Sequence, residues 1–122
     1  MRIAGVGYRH AATIESLTAA LEAAGGPQNI SALATMAGKE GPPLAELAAR
    51  LGIPVLSISL ERLGGQPTAG RSQRVEALVG VESVAEAAAL AACGPGARLL
   101  VTRVVSPDRM ATAAIAATGD SQ

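Results

Sequence analysis

The chain has 122 residues, with ten basic and ten acidic side chains, so no net field directs it toward nucleic acid or an anionic membrane. Hydrophobic residues make up 49% and mean hydropathy is +0.34, which excludes a disordered tail and fits one domain with a core of its own. Charges or Gly/Pro interrupt every apolar stretch before the roughly 18–20 residues that a membrane span needs.

Residues 2–8 (Arg-Ile-Ala-Gly-Val-Gly-Tyr) are predicted as a first strand. A helix follows from about Thr13 to Ala24, with Thr13 as N-cap, Ile14, Leu17 and Leu21 on one face, and Gly25-Gly26-Pro27 as its stop. Residues 30–36 alternate like a second strand, and Ala37 to Gly41 is a glycine-rich loop. Pro42-Pro43 starts a short helix through Leu44, Leu47, Ala48 and Leu51, closed by Gly52. The clearest strand pattern is Pro54 to Leu60, with Val55, Ser57 and Ser59 on one face. Residues 64–72 read as a mobile loop, and 72–79 and 83–93 as small helices. Strands at 97–105 and 110–117 close the chain around the turn-forming Ser106-Pro107-Asp108, leaving 119–122 as a frayed tail. Strand–helix alternation with a closing hairpin predicts a single α/β domain over 1–118. The expected architecture is a three-layer sandwich on a mixed, mostly parallel sheet of about five strands.

The start Met1-Arg2-Ile3-Ala4-Gly5 opens directly into a strand rather than a signal peptide. The single cysteine, Cys93, leaves no internal disulfide and fits a reducing compartment, so a cytoplasmic domain is expected. Tyr8 is the only aromatic residue, so base stacking has no platform. Nine of the ten basic residues are Arg; a coding bias explains this, and a carboxylate ligand, which suits forked guanidiniums, would also explain it.

In open α/β sheets ligands collect beyond the carboxyl ends of the strands, and three segments carry suitable residues there. In Gly5-Val6-Gly7-Tyr8-Arg9-His10, glycines allow close backbone approach, a helix start offers N–H groups and Arg9 adds a cation. The alternative is a tight turn with a solvated Arg and His, and His10 in place of a third glycine excludes a dinucleotide fingerprint. In Thr35-Met36-Ala37-Gly38-Lys39-Glu40, Lys39 and Glu40 are either a solvated pair or a cation and a proton-transfer carboxyl. Ser57 and Ser59 either face a crevice or are small residues under a helix. One His and one Cys make no metal set, and no serine lies in a nucleophile elbow, so neither a metal nor a catalytic triad is expected. Ser83 with Glu86 matches a capping box, which reads Glu86 as structural.

Taken in order, several segments resemble the cobalamin-biosynthesis family that contains CobE and the C-terminal domain of CbiG. They are Gly5-Val6-Gly7 with Arg9, Lys39-Glu40 followed by Leu44 and Leu47-Ala48, and Leu51-Gly52-Ile53-Pro54-Val55 with Leu63. The run Val79-Gly80-Val81-Glu82-Ser83-Val84-Ala85-Glu86-Ala87-Ala88-Ala89-Leu90 is the most specific, and Thr112-Ala113-Ala114-Ile115-Ala116 resembles the family's final strand. The likeness extends over about 3–116. Two departures stand out: Arg103 replaces a lysine, and the acidic position around Lys39-Glu40 is trimmed, with Gly41-Pro42-Pro43 immediately after it.

The resemblance implies a role in building the corrin ring. The leading expectation is a protein of the aerobic route that binds or carries a precorrin-type tetrapyrrole, with no cofactor of its own. Its peripheral carboxylates would meet Arg9, Lys39, Arg103 and backbone N–H groups, with Gly5, Gly7, Thr35 and Ser57 lining the site. The second expectation is a hydrolase opening a ring lactone, as longer relatives of the anaerobic route do, with Glu40 or His10 as general base. The third is a non-catalytic partner of other cobalamin-pathway enzymes, docking through an apolar patch.

Overall fold

Strands β1 (Arg2–Tyr8), β2 (Ala32–Met36), β3 (Val55–Ile58), β4 (Ala97–Val105) and β5 (Ala111–Thr118) form one sheet of order β3-β2-β1-β5-β4 in the computed structural model. That model describes residues 2–26, 28–59, 81–94 and 96–118. The expected loop at 64–72, the helix at 72–79 and the tail at 119–122 lie outside the described residues. Strands β1, β2 and β3 pair in parallel, β5 runs antiparallel to β1, and β4 antiparallel to β5. Four strands therefore point one way and β5 alone opposes them.

Helices α1 (Ile14–Ala23) and α2 (Pro42–Leu51) cover one face, and α3 (Val81–Cys93) covers the other. Thr13 caps α1 as expected: its hydroxyl accepts the Ser16 N–H at 3.3 Å, and the Ser16 hydroxyl accepts the Thr13 N–H at 3.2 Å. Such a reciprocal cap satisfies two of the N–H groups that a helix start leaves without partners. Leu17 and Leu21 are buried, as the spacing predicts, together with Leu44 and Leu47 of α2. Gly52 ends α2 at φ 72°, the left-handed conformation a helix stop favours in glycine.

Strand β5, and β1 at Ala4, Gly5 and Gly7, carry small residues for a packing reason. In β5 every residue from Ala111 to Ala117 is buried, and β1 is buried from Ile3 to Gly7. Alanine has little intrinsic preference for strands, yet a strand covered on both faces can hold small side chains if the helices approach closely. Gly5 shows how close α3 comes. A Cβ there would lie 1.9 Å from the Ala85 carbonyl oxygen and 2.7 Å from the Ala89 nitrogen. Ala87, Ala88, Ala89 and Ala91 of α3 are all buried on that side. No described helix is long and apolar enough to cross a membrane.

Candidate functional site

Because β1 to β4 share a direction, the segments after them meet along one edge of the sheet. These are Arg9 to Ala12, Ala37 to Gly41, Ser59, and the β4–β5 turn from Ser106 to Met110. Lys39, Glu40, Arg9 and His10 are all exposed on this edge. The loop that carries Lys39 and Glu40 is held by a residue that the sequence does not single out.

That residue is Tyr8, the last of β1. Its phenol donates to the Lys39 carbonyl at 2.5 Å and accepts the Gly41 N–H at 2.5 Å. The loop after β2 is thereby tied to the end of β1. Burial of the ring raises the phenol above its ordinary range, with the Gly41 N–H acting in the opposite sense. The phenol stays protonated and keeps its donor role at neutral pH. Glu40 pins the loop from the other side: Glu40 Oε1 accepts the Gly38 N–H at 3.0 Å, and Oε2 accepts the Ser57 hydroxyl from β3. The Ser57 hydrogen bond comes first among the causes that hold the Glu40 carboxyl below the usual carboxylate range. Residues 37–41 therefore form a braced loop with Lys39 at its outer turn.

A second brace closes the β4–β5 turn. Asp108 accepts the Ser106 hydroxyl at 2.5 Å, the Ser16 hydroxyl at 2.6 Å and the Met110 N–H at 3.0 Å. These bonds, the Ser106 contact foremost, hold its carboxyl below the usual range. Ser106 is itself buried, and its oxygen accepts the N–H groups of Met110 and Ala111 at 3.2 and 3.1 Å. Arg9 joins this turn to β1 through its own N–H, which donates to the Met110 carbonyl at 2.8 Å. Both edge carboxylates, Glu40 and Asp108, are thus engaged in local hydrogen bonds. Among the described residues the ion pairs are Arg50 with Glu46 at 2.9 Å and Arg103 with Glu86 at 3.3 Å. Neither involves Arg9 or Lys39.

The remaining expected residues lie elsewhere. Gly5 faces the backbone of α3 rather than the edge. Gly7 is buried, and its carbonyl lies 3.5 Å from the Thr112 hydroxyl. Thr35 is fully buried and donates to the Val6 carbonyl at 2.8 Å, a bond that ties β2 to β1. Arg103 belongs to the α3 side, where its N–H and guanidinium donate to the Glu86 carboxylate at 3.0 and 3.3 Å. Glu86 is also placed differently from the capping box that Ser83 suggested. Helix α3 already includes Val81, so Glu86 lies within its body and its carboxylate turns to β4. The carboxylate is fully buried, and a buried charge of that kind needs such a partner. Cys93 is buried, and burial pushes its thiol up, which fits a structural role. Among the described residues there is no cluster of His, Cys, Asp and Glu able to hold a metal ion.

A family model described as "Cobalamin synthesis G C-terminus" matches residues 2–116. The chain belongs to the cobalamin synthesis G C-terminus family. Two solved structures of cobalamin biosynthesis proteins agree with this membership. CobE, from the cobalamin (vitamin B12) biosynthetic pathway, is 34% identical over 95% of this chain and 89% of its own, with a TM-score of 0.75. Cobalamin biosynthesis protein ChiG of Agrobacterium tumefaciens is 36% identical over 98% of this chain and all (100%) of its own, with a TM-score of 0.69. A cobalamin biosynthesis protein G homolog from Sulfolobus solfataricus shares the fold at 18% identity and a TM-score of 0.65, this chain covering 36% of it. No curated protein matches the chain in sequence. These structures share the fold of this chain, and the edge described above is its candidate site.

Proposed function

We propose that this member of the cobalamin biosynthesis family binds a carboxylate-bearing precorrin-type tetrapyrrole along the carboxyl edge of its sheet and passes it on chemically unchanged. The observation that carries the reading is the charge arrangement of that edge. Arg9 and Lys39 are exposed on braced segments and have no carboxylate partner among the described residues, while Glu40 and Asp108 are tied into the loops themselves. A cation held on a rigid support loses less freedom on binding an anion than one on a free chain. Guanidinium and ammonium groups suit the carboxylates at a macrocycle's rim.

The hydrolase reading draws less support from the geometry. A general base needs an affinity for protons near the working pH, whereas Ser57 and the Gly38 N–H hold Glu40 in its ionised form. Both of its oxygens are already engaged. The test is to titrate the protein with metal-free and cobalt-bearing precorrins by absorbance and then weigh the recovered ligand. Binding with unchanged ligand mass is expected. No binding to any of the panel would overturn the proposal, and water added or an aldehyde lost would replace it with an enzyme. In the latter case Glu40→Gln and His10→Ala become the variants to assay.

A further inference from the structure

We propose that Arg109, which nothing in the sequence singled out, is a ligand-binding residue that forms with Arg9 a two-guanidinium clasp for neighbouring carboxylates on the tetrapyrrole rim. This rests on the binding function proposed above and names the contact that gives it charge selectivity.

Arg109 lies in the β4–β5 turn at φ 63°, a left-handed conformation that glycine adopts at far lower cost than a residue with a Cβ. The turn is nevertheless well determined. The Arg109 N–H donates to the Ser106 carbonyl at 2.8 Å, and Asp108 and Ser106 brace the residues on either side. The Arg109 carbonyl in turn accepts Nε of Arg9 at 3.1 Å. The fold therefore brings two arginines a hundred positions apart in sequence to one exposed spot.

Two like charges on one support repel unless something neutralises them. Among the described residues neither guanidinium has a carboxylate within ion-pairing distance. The adjacent carboxylate, Asp108, has Oδ1 engaged by Ser106 and the Met110 N–H, and Oδ2 engaged by Ser16. Among the described residues the Arg9 side chain is engaged through Nε alone, so its Nη groups keep their hydrogen-bonding capacity for an anion. A polycarboxylate supplies the missing counter-charge, each guanidinium fork matching one carboxylate.

The test uses two probes on the full chain. Uroporphyrin, a stable carboxylate-rich tetrapyrrole, is titrated by fluorescence into the native protein, Arg109→Gly and Arg109→Lys. Glycine is at ease in the left-handed turn, so Arg109→Gly removes the charge while keeping the fold; circular dichroism melts check this. In parallel, tricarballylate, a small polycarboxylate, is added to the native protein while the arginine Nε–Hε signals are followed by NMR. We expect Arg109→Gly to weaken uroporphyrin binding about ten- to thirtyfold, the lower end of what one charge-assisted contact contributes, and to lessen its salt dependence. Arg109→Lys should recover part of the loss, and tricarballylate should shift Arg9 and Arg109 but not Arg2, Arg50 or Arg98. Unchanged uroporphyrin affinity in Arg109→Gly overturns the clasp while leaving tetrapyrrole binding standing. No uroporphyrin binding, with tricarballylate shifting both arginines, overturns the tetrapyrrole reading while supporting the clasp. If neither probe engages these arginines, both proposals fall.

Discussion

Replacing Gly5 with alanine adds one methyl group where β1 and α3 come closest. The new Cβ would lie 1.9 Å from the Ala85 carbonyl oxygen, 2.7 Å from the Ala89 nitrogen and 2.9 Å from the Ala85 carbonyl carbon. All three are main-chain atoms, so no side chain can swing aside, and α3 itself must retreat by roughly an ångström or more. Overpacking of this kind costs typically 1–3 kcal/mol, and a helix displaced as a body belongs at the upper end. Against this stands the entropy that alanine removes from the unfolded chain, about 0.4–1 kcal/mol in favour of the variant. The net expectation is a loss of about 2 kcal/mol, or a melting temperature lower by very roughly 8 °C. Urea unfolding followed by circular dichroism measures it, with the midpoint falling at constant slope. A variant as stable as the parent, or more so, would refute the close approach of α3 to β1.

Other consequences follow from the braces at the edge and from the buried ion pair. Tyr8→Phe deprives the Lys39 carbonyl and the Gly41 N–H of their shared partner. It should cost about 1 kcal/mol in a thermal melt and weaken precorrin affinity, because Lys39 loses its support. Glu86→Gln removes the charge opposite Arg103, whose side chain is 34% exposed against 1% for Glu86. The arginine can partly turn to water, so urea unfolding should register a loss of about 2 kcal/mol, less than for a fully buried pair. Asp108 and Glu40 both have folded-state values below their ordinary ones, held there chiefly by Ser106 and by Ser57. Their stabilising contribution is complete above the unfolded-state values, about 4 for carboxyls, and disappears as pH falls through the lower folded values. Acid unfolding curves should therefore steepen below about pH 4. Asp108→Asn should flatten that part of the curve.

The sequence revealed most where the physics is local. Thr13 with Ile14, Leu17 and Leu21 marked α1 because a cap and a 3.6-residue period need nothing beyond the segment itself. The turn at Ser106-Pro107-Asp108 was legible for the same reason. Glu86 misled because Ser83-x-x-Glu86 is a local pattern, while the partner that takes its carboxylate is 17 residues away on β4. Tyr8 escaped notice because its two hydrogen bonds reach 31 and 33 residues along the chain. Taken alone it registered only as a shortage of aromatics. Gly5 looked like an opening for a ligand, since sequence cannot say which neighbour fills the space a missing side chain leaves. The insertion of β5 between β1 and β4 is a non-local pairing that no periodicity encodes.

Whether ligand meets the carboxyl edge of the sheet is decided by following backbone amide shifts as a precorrin is added. Shifts are expected at Tyr8 to His10, Ala37 to Gly41 and Asp108 to Met110, with the opposite edge at Gly25-Gly26, Gly52-Ile53 and Gly96 unmoved. Shifts gathered at that opposite edge, with the residues around Arg9 and Lys39 silent, would contradict that placement.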